Sequence, residues 1–147
     1  EDEMMIRTVT AALAIATLMG SAALAEVHEV QMLNKGTDGA RMVFEPAFVQ
    51  AAPGDTIRFL ATDKGHNAET VKDMIPEGAE KFGGKIKEEF EITLDATGVY
   101  AVMCKPHYAM GMVMTIAVGD VDAPEGFFQG RVPKKAKERF EAQLDNL

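Results

Sequence analysis

Cysteine occurs once in this chain of 147 residues, histidine three times and tryptophan not at all. A single cysteine excludes an internal disulfide, and an idle thiol is a liability in an oxidising compartment, so an exported chain of this kind needs something to occupy Cys104. Basic residues are also in deficit: 15 Lys+Arg against 23 Asp+Glu give a formal charge of −8, which argues against a nucleic-acid partner. Internal repeats and low-complexity tracts are missing. With 47% hydrophobic residues, a chain of this length can build one core and hardly two.

Long apolar runs are missing too, except at the start. In "MMIRTVTAALAIATLMGSAALA", Arg7 stands before an apolar stretch that reaches Met19 and ends in small residues at Ala23-Leu24-Ala25, an A-x-A cleavage signature. A membrane anchor needs about 20 apolar residues, and this run is shorter and broken by Thr8, Thr10 and Thr17. Residues 1–25 therefore read as a cleaved export signal, with translation expected to start at Met4 or Met5, and residues 26–147 as a single domain with a helical tail from about residue 120. Removing the signal takes away three acids and one base, leaving 20 Asp+Glu and 14 Lys+Arg, net −6.

Across the mature part, short alternating or apolar runs are bounded by turn residues, the mark of half-buried strands. They are "EVHEVQML", "RMVFEP" leading into "AFVQA", "TIRFLAT", "EEFEITL", "VYAVMC" and "MVMTIAVG". At least six strands in about ninety residues predict a mainly β fold, an antiparallel Greek-key β-sandwich. "DKGHNAETVKDMIPEGAEKFGGK" is a long polar excursion with room for one helical turn. After Gly119, "VPKKAKERFEAQLDNL" places Ala136, Phe140, Leu144 and Leu147 at helical spacing, which predicts a C-terminal amphipathic α-helix docked on the sandwich. "APEGFFQG" is a weaker candidate for a short helix, because Gly126 and Gly130 disfavour it.

The stretch "YAVMCKPHYAMGMVM" holds the cysteine, one histidine and four of the ten methionines. Cys104 ends one predicted strand and Met112 begins the next, so His107 lies on a loop at one end of the sandwich. His66 lies in another loop, 38 residues before Cys104, and a Greek key can bring the two loops together. One thiolate, two imidazoles and a thioether suit copper: sulfur stabilises Cu(I), imidazole suits either oxidation state, and the set matches an electron-transfer site. Zinc would more usually recruit further Cys or His, or leave a position open for water. The bland alternatives are a buried thiol and core-filling methionines. His28 stands alone in the first strand and reads as structural or surface.

At these residues the chain resembles the pseudoazurins, bacterial type 1 blue copper proteins of the cupredoxin fold. "MLNKG", "MVFEPAFV", "PGDTI", "DKGHN", "DMIPEGAEKF" and "CKPHYAMGM" carry the likeness, as does the helical tail. Plastocyanins share the Cys, His, Met spacing but end at their last strand, and amicyanins have a shorter ligand loop. The resemblance implies one copper ion held by His66, Cys104, His107 and Met112, with Asn67 as a hydrogen-bonding neighbour of the thiolate. It also implies His107 as the exposed edge where electrons pass. The implied role is a periplasmic one-electron carrier, not an enzyme, that serves copper nitrite reductase or a c-type cytochrome as a monomer without stable membrane association. The chain departs from the family at Met103 and Gly83, where lysine is common.

Docking is expected around His107, on an apolar patch of Met42, Pro106, Ala109, Met110 and Gly111. Lys35, Lys64, Lys72, Lys81, Lys85 and Lys105 would rim it and steer an acidic partner. The sequence leaves two other classes open: a copper chaperone or scavenger, which needs an exchange-prone site, and a cysteine nucleophile activated by His107.

Overall fold

The computed structural model describes residues 24–147. The expected export signal lies outside the described residues apart from Leu24 and Ala25, both exposed and without regular structure.

Among the described residues, eight strands form two four-stranded sheets. The first sheet holds β1 (Val27–Lys35), β2 (Arg41–Glu45), β4 (Asp55–Leu60) and β6 (Phe90–Leu94) in the order β2-β1-β4-β6. The second holds β3 (Phe48–Ala51), β5 (Glu69–Thr70), β7 (Gly98–Met103) and β8 (Val113–Val118) in the order β3-β8-β7-β5. The expected sandwich is therefore present, but it is not wholly antiparallel. β1 pairs with β4 in parallel, and so does β3 with β8. Alternation of apolar residues reports which face of a strand is buried, not the direction of its neighbour, so this pairing left no trace in the pattern.

The burial pattern explains the sequence texture of each sheet. In β4, Asp55, Ile57 and Phe59 point inward while the intervening residues are partly exposed, because the outer face of the first sheet meets solvent. β8 is buried at every position and β7 at most, because the second sheet is covered on both faces. Val30, Met32, Phe44, Phe59, Tyr100, Met114 and Ile116 fill the space between the sheets. Val71, Val99, Ala101 and Val113 face a second core with Phe127, Ala136 and Phe140.

That second core is closed by the helix α1 (Lys134–Leu144). Its first half is basic, which opposes the helix dipole, and no acid stands in its first turn. Docking of Ala136, Phe140 and Gln143 is what holds it. Leu147 does not join the buried face as expected: the helix ends at Leu144 and Leu147 is 40% exposed. The buried residue of the last turn is the polar Gln143, whose amide finds partners on β8. "APEGFFQG" forms a turn and no helix, with Gly126 at φ +71° and Phe127 buried. The long excursion from Asp63 to Lys85 contains β5 and turns but no helical turn. No helix of the described residues is long and apolar enough to cross a membrane.

Candidate metal centre

The segment between β7 and β8 is a 3-10 helix, Lys105–Met110, with Pro106 in its first turn and a kink at His107. Gly111 follows at φ +87°, a left-handed conformation that glycine adopts without strain, and turns the chain into β8. Three backbone bonds then lock the segment. Cys104 N–H donates to Met112 O at 2.9 Å, Met112 N–H to His107 O at 3.1 Å, and His107 N–H to Cys104 O at 3.1 Å. Cys104, His107 and Met112 are thus tied to one another through their own peptide groups, so their spacing is a fixed geometry.

His66 arrives from the loop after β4. Asp63 anchors that loop to β1: its N–H donates to Met32 O at 3.1 Å, and its carboxylate accepts from Asn34 N–H at 2.7 Å. Lys87 N–H donates to His66 O at 3.0 Å. Asn67, next in sequence, joins the two loops. Its side-chain oxygen accepts from Lys105 N–H at 2.7 Å and its amide donates to Gly84 O at 3.2 Å.

The result is a convergence of donors at one end of the inter-sheet core. His66 Nδ1 and His107 Nδ1 lie 3.1 Å apart, and Cys104 Sγ lies 3.7 Å from the first and 3.4 Å from the second. Donors about 2.0–2.3 Å from a common ion and roughly 100–120° apart would be separated by about 3.1–3.7 Å. The three atoms therefore fit a single borderline or soft cation without rearrangement. Asn34 Oδ1 accepts from His66 Nε2–H at 2.7 Å, which leaves the lone pair of Nδ1 directed at the cluster.

Burial sharpens the chemistry. His66, Cys104 and Met112 are fully buried, whereas His107 is half-buried. Burial pushes the Cys104 thiol up; the backbone N–H groups of Asn67 and His107 oppose this by facing the sulfur, and the charge of Glu69 adds to the rise. A neutral thiol is the result, and a cation held there would have to displace its proton. Burial pushes His66 down, the proximity of His107 lowers it further, and Asp63 acts in the opposite sense. Both effects keep the imidazole neutral and able to donate.

Asn67 does neighbour the sulfur as expected, but through its backbone N–H; its side chain clips the loops together. Sequence reasoning missed Asn34, because nothing local to "MLNKG" announces a partner 32 residues away. Of the expected docking patch, Pro106, Ala109 and Met110 are exposed and Met42 is half-buried. Gly111 is not available: it is buried against α1, and a side chain there would run into Lys135 and Arg139. All six expected rim lysines are exposed, and none forms an ion pair among the described residues.

His28 lies far from this cluster. With Glu26 and Asp55 it forms a second group of potential ligand atoms within 4.8 Å of one another. Asp55 is already satisfied, since its oxygens accept from Glu26 N–H at 2.9 Å and Ala52 N–H at 2.8 Å and pair with His28 Nε2 at 2.8 Å. That group is a clasp for the start of β1, in keeping with the structural role read for His28.

Comparison with known proteins agrees with the geometry. Residues 30–119 match the model for copper binding proteins of the plastocyanin/azurin family. Pseudoazurin from Paracoccus pantotrophus is 48% identical over 144 residues, covering 96% of this chain and 97% of its own. A solved pseudoazurin from Sinorhizobium superposes with a TM-score of 0.76 at 44% identity, covering 82% of this chain and 95% of its own. The pseudoazurin of Methylobacterium extorquens AM1 gives 0.72 at 40% identity, covering 82% and 98%. The fold is that of the cupredoxins, and the chain belongs to the pseudoazurins within the plastocyanin/azurin family of copper-binding proteins.

Proposed function

We propose that the protein is a periplasmic one-electron carrier with one type 1 copper ion per monomer, held by His66, Cys104, His107 and Met112. The observation that carries this reading is the approach of one thiol and two imidazole Nδ1 atoms to 3.1–3.7 Å, with Met112 bonded into the same backbone ring. When bound, copper supplies the Cu(I)/Cu(II) couple. Cys104 binds as thiolate, so its proton leaves on loading, and the Asn67 and His107 N–H groups help hold the negative charge. His66 and His107 offer nitrogens acceptable to both oxidation states, and Asn34 keeps the first of them aimed. Four protein donors leave no position for substrate, which favours charge transfer over bond chemistry.

Burial of His66, Cys104 and Met112 excludes water from the donors, and the partly exposed His107 is the natural path for the electron. Met110, Pro106 and Ala109 beside it offer a small apolar landing surface, and the lysine rim suits an acidic redox partner. The family resemblance favours copper nitrite reductase or a c-type cytochrome in denitrification, and the export signal favours the periplasm.

Two observations weigh against the other classes. A chaperone needs ready exchange, whereas these donors are buried and tied by backbone bonds. A nucleophile needs an exposed, low-pKa thiol; Cys104 is fully buried with its pKa raised, and the Asn67 side chain serves Gly84 and Lys105 rather than orienting His107. Voltammetry of the protein loaded with one equivalent of copper tests the proposal. A reversible one-electron wave, with reduced protein able to reduce copper nitrite reductase, is expected; irreversible behaviour with rapid copper loss to chelators would point to a scavenger.

A further inference from the structure

Helix α1 does more than cover the second core. Met112 is flanked by two carbonyls that the β-ladder leaves over, and α1 supplies the donor for each. On one side, the Arg139 guanidinium donates through Nη1 to Gly111 O at 2.8 Å and Met42 O at 2.7 Å, and through Nη2 to Arg41 O at 2.9 Å. On the other, Gln143 Nε2 donates to Val113 O at 3.0 Å, and its Oε1 accepts from Thr115 Oγ1 at 2.9 Å.

Each bond has a reason. β3 pairs with β8 only from Thr115 onward, so Val113 O has no strand partner on that side. Gly111 sits in the left-handed turn with α1 pressed on it: an added Cβ would lie 3.1 Å from Lys135 Cβ and 3.2 Å from Arg139 Cδ. Met42, bound by the same guanidinium, also has a positive φ of 54°, unusual for a side chain of its size. A planar fork of donors can hold three carbonyls at once in a way that an ammonium cannot.

We propose that α1 is a clamp on Met112, with Arg139 and Gln143 acting as positioning residues that fix the backbone on both sides of it and so set the approach of its thioether to the His66, Cys104 and His107 donors. The inference rests on Met112 as one of the four residues that would hold copper and extends that reading to the tail of the chain. Axial-ligand placement tunes the potential and spectrum of such a site, and donors outside the ligand set commonly govern ligand orientation.

The experiment compares Arg139→Met, Arg139→Lys and Gln143→Leu with Phe140→Leu, a control on the same helix that loosens the packing with Phe127 and Phe128 but removes no hydrogen bond to the ligand loop. Visible spectrum, reduction potential and melting temperature are read on the copper-loaded proteins. The Met112 methyl resonance is read by NMR on both apo and loaded forms. Arg139→Met and Gln143→Leu should retain one copper per chain while changing the ratio of the visible bands, shifting the potential and moving the Met112 methyl resonance, with Arg139→Lys intermediate. Phe140→Leu should lower the melting temperature and leave all three at wild-type values. If Arg139→Met and Gln143→Leu lower only the melting temperature, the clamp is overturned. A wild type without the blue band would refute the copper reading instead, and the apo methyl resonance would still decide whether α1 positions Met112.

Discussion

Asn34 and His66 meet through a 2.7 Å hydrogen bond in which the His66 Nε2–H donates to the Asn34 side-chain oxygen. The bond selects one tautomer and points Nδ1 at Cys104 and His107. Asn34→Ala should weaken copper binding by about 10–100-fold, the usual effect of losing such a support. Competition with a calibrated chelator measures it, and unchanged affinity would mean that packing alone orients the ring.

Asp55 predicts the acid limb of stability. Its pKa is lowered from 3.8 to about 2, first by the hydrogen bond with His28, then by the Ala52 and Glu26 N–H groups. A depressed carboxylate pKa contributes stability that is present above the unfolded value and lost as pH falls through the folded one. The contribution, on the order of 1–2 kcal/mol after allowance for screening, should therefore disappear between about pH 4 and pH 2. Urea unfolding of Asp55→Asn across that range should show a flatter acid limb than wild type; parallel curves would contradict the clasp.

Met112 and Met110 should separate cleanly. Met112 is fully buried within the core that also holds Cys104, whereas Met110 is 44% exposed beside His107. Met112→Gln should shift the visible spectrum and potential, while Met110→Ala should leave both nearly intact and weaken partner docking. The reverse pattern would overturn the assignment.

Much of this was legible because its causes are local. Val30 with Met32 and Ile57 with Phe59 show the two-residue period of strands with one wet face, and Cys104, His107 and Met112 lie within nine residues of sequence. The remainder depends on neighbours far along the chain. Nothing near Arg139 reveals that it will reach Met42, 97 residues away, nor does Gln143 announce its bond to Val113. Leu147 departs from the expected buried face because helical spacing continues past Leu144 while the helix itself does not. The parallel pairing of β1 with β4 follows from chain crossing between sheets, which apolar alternation cannot encode.

The proposed docking through exposed lysines predicts salt-dependent kinetics. Electron transfer to an acidic partner should slow as ionic strength rises, because steering is screened over a Debye length of roughly 10 Å at 0.1 M. Charge reversal at Lys64, Lys85 and Lys105, all exposed, should slow the rate at low salt and reduce its salt dependence. Stopped-flow rates indifferent to both changes would leave these lysines as solvated surface.

Cys104, His66, His107 and Met112 should bind copper as one site, and addition of Cu(II) to the purified apo protein makes that binding visible. A short copper–thiolate bond gives an intense charge-transfer band, so the solution should turn blue or green-blue, saturate at one equivalent, and lose the colour in Cys104→Ser. A wild-type protein that takes up Cu(II) and stays colourless would contradict copper binding by the Cys104 thiolate.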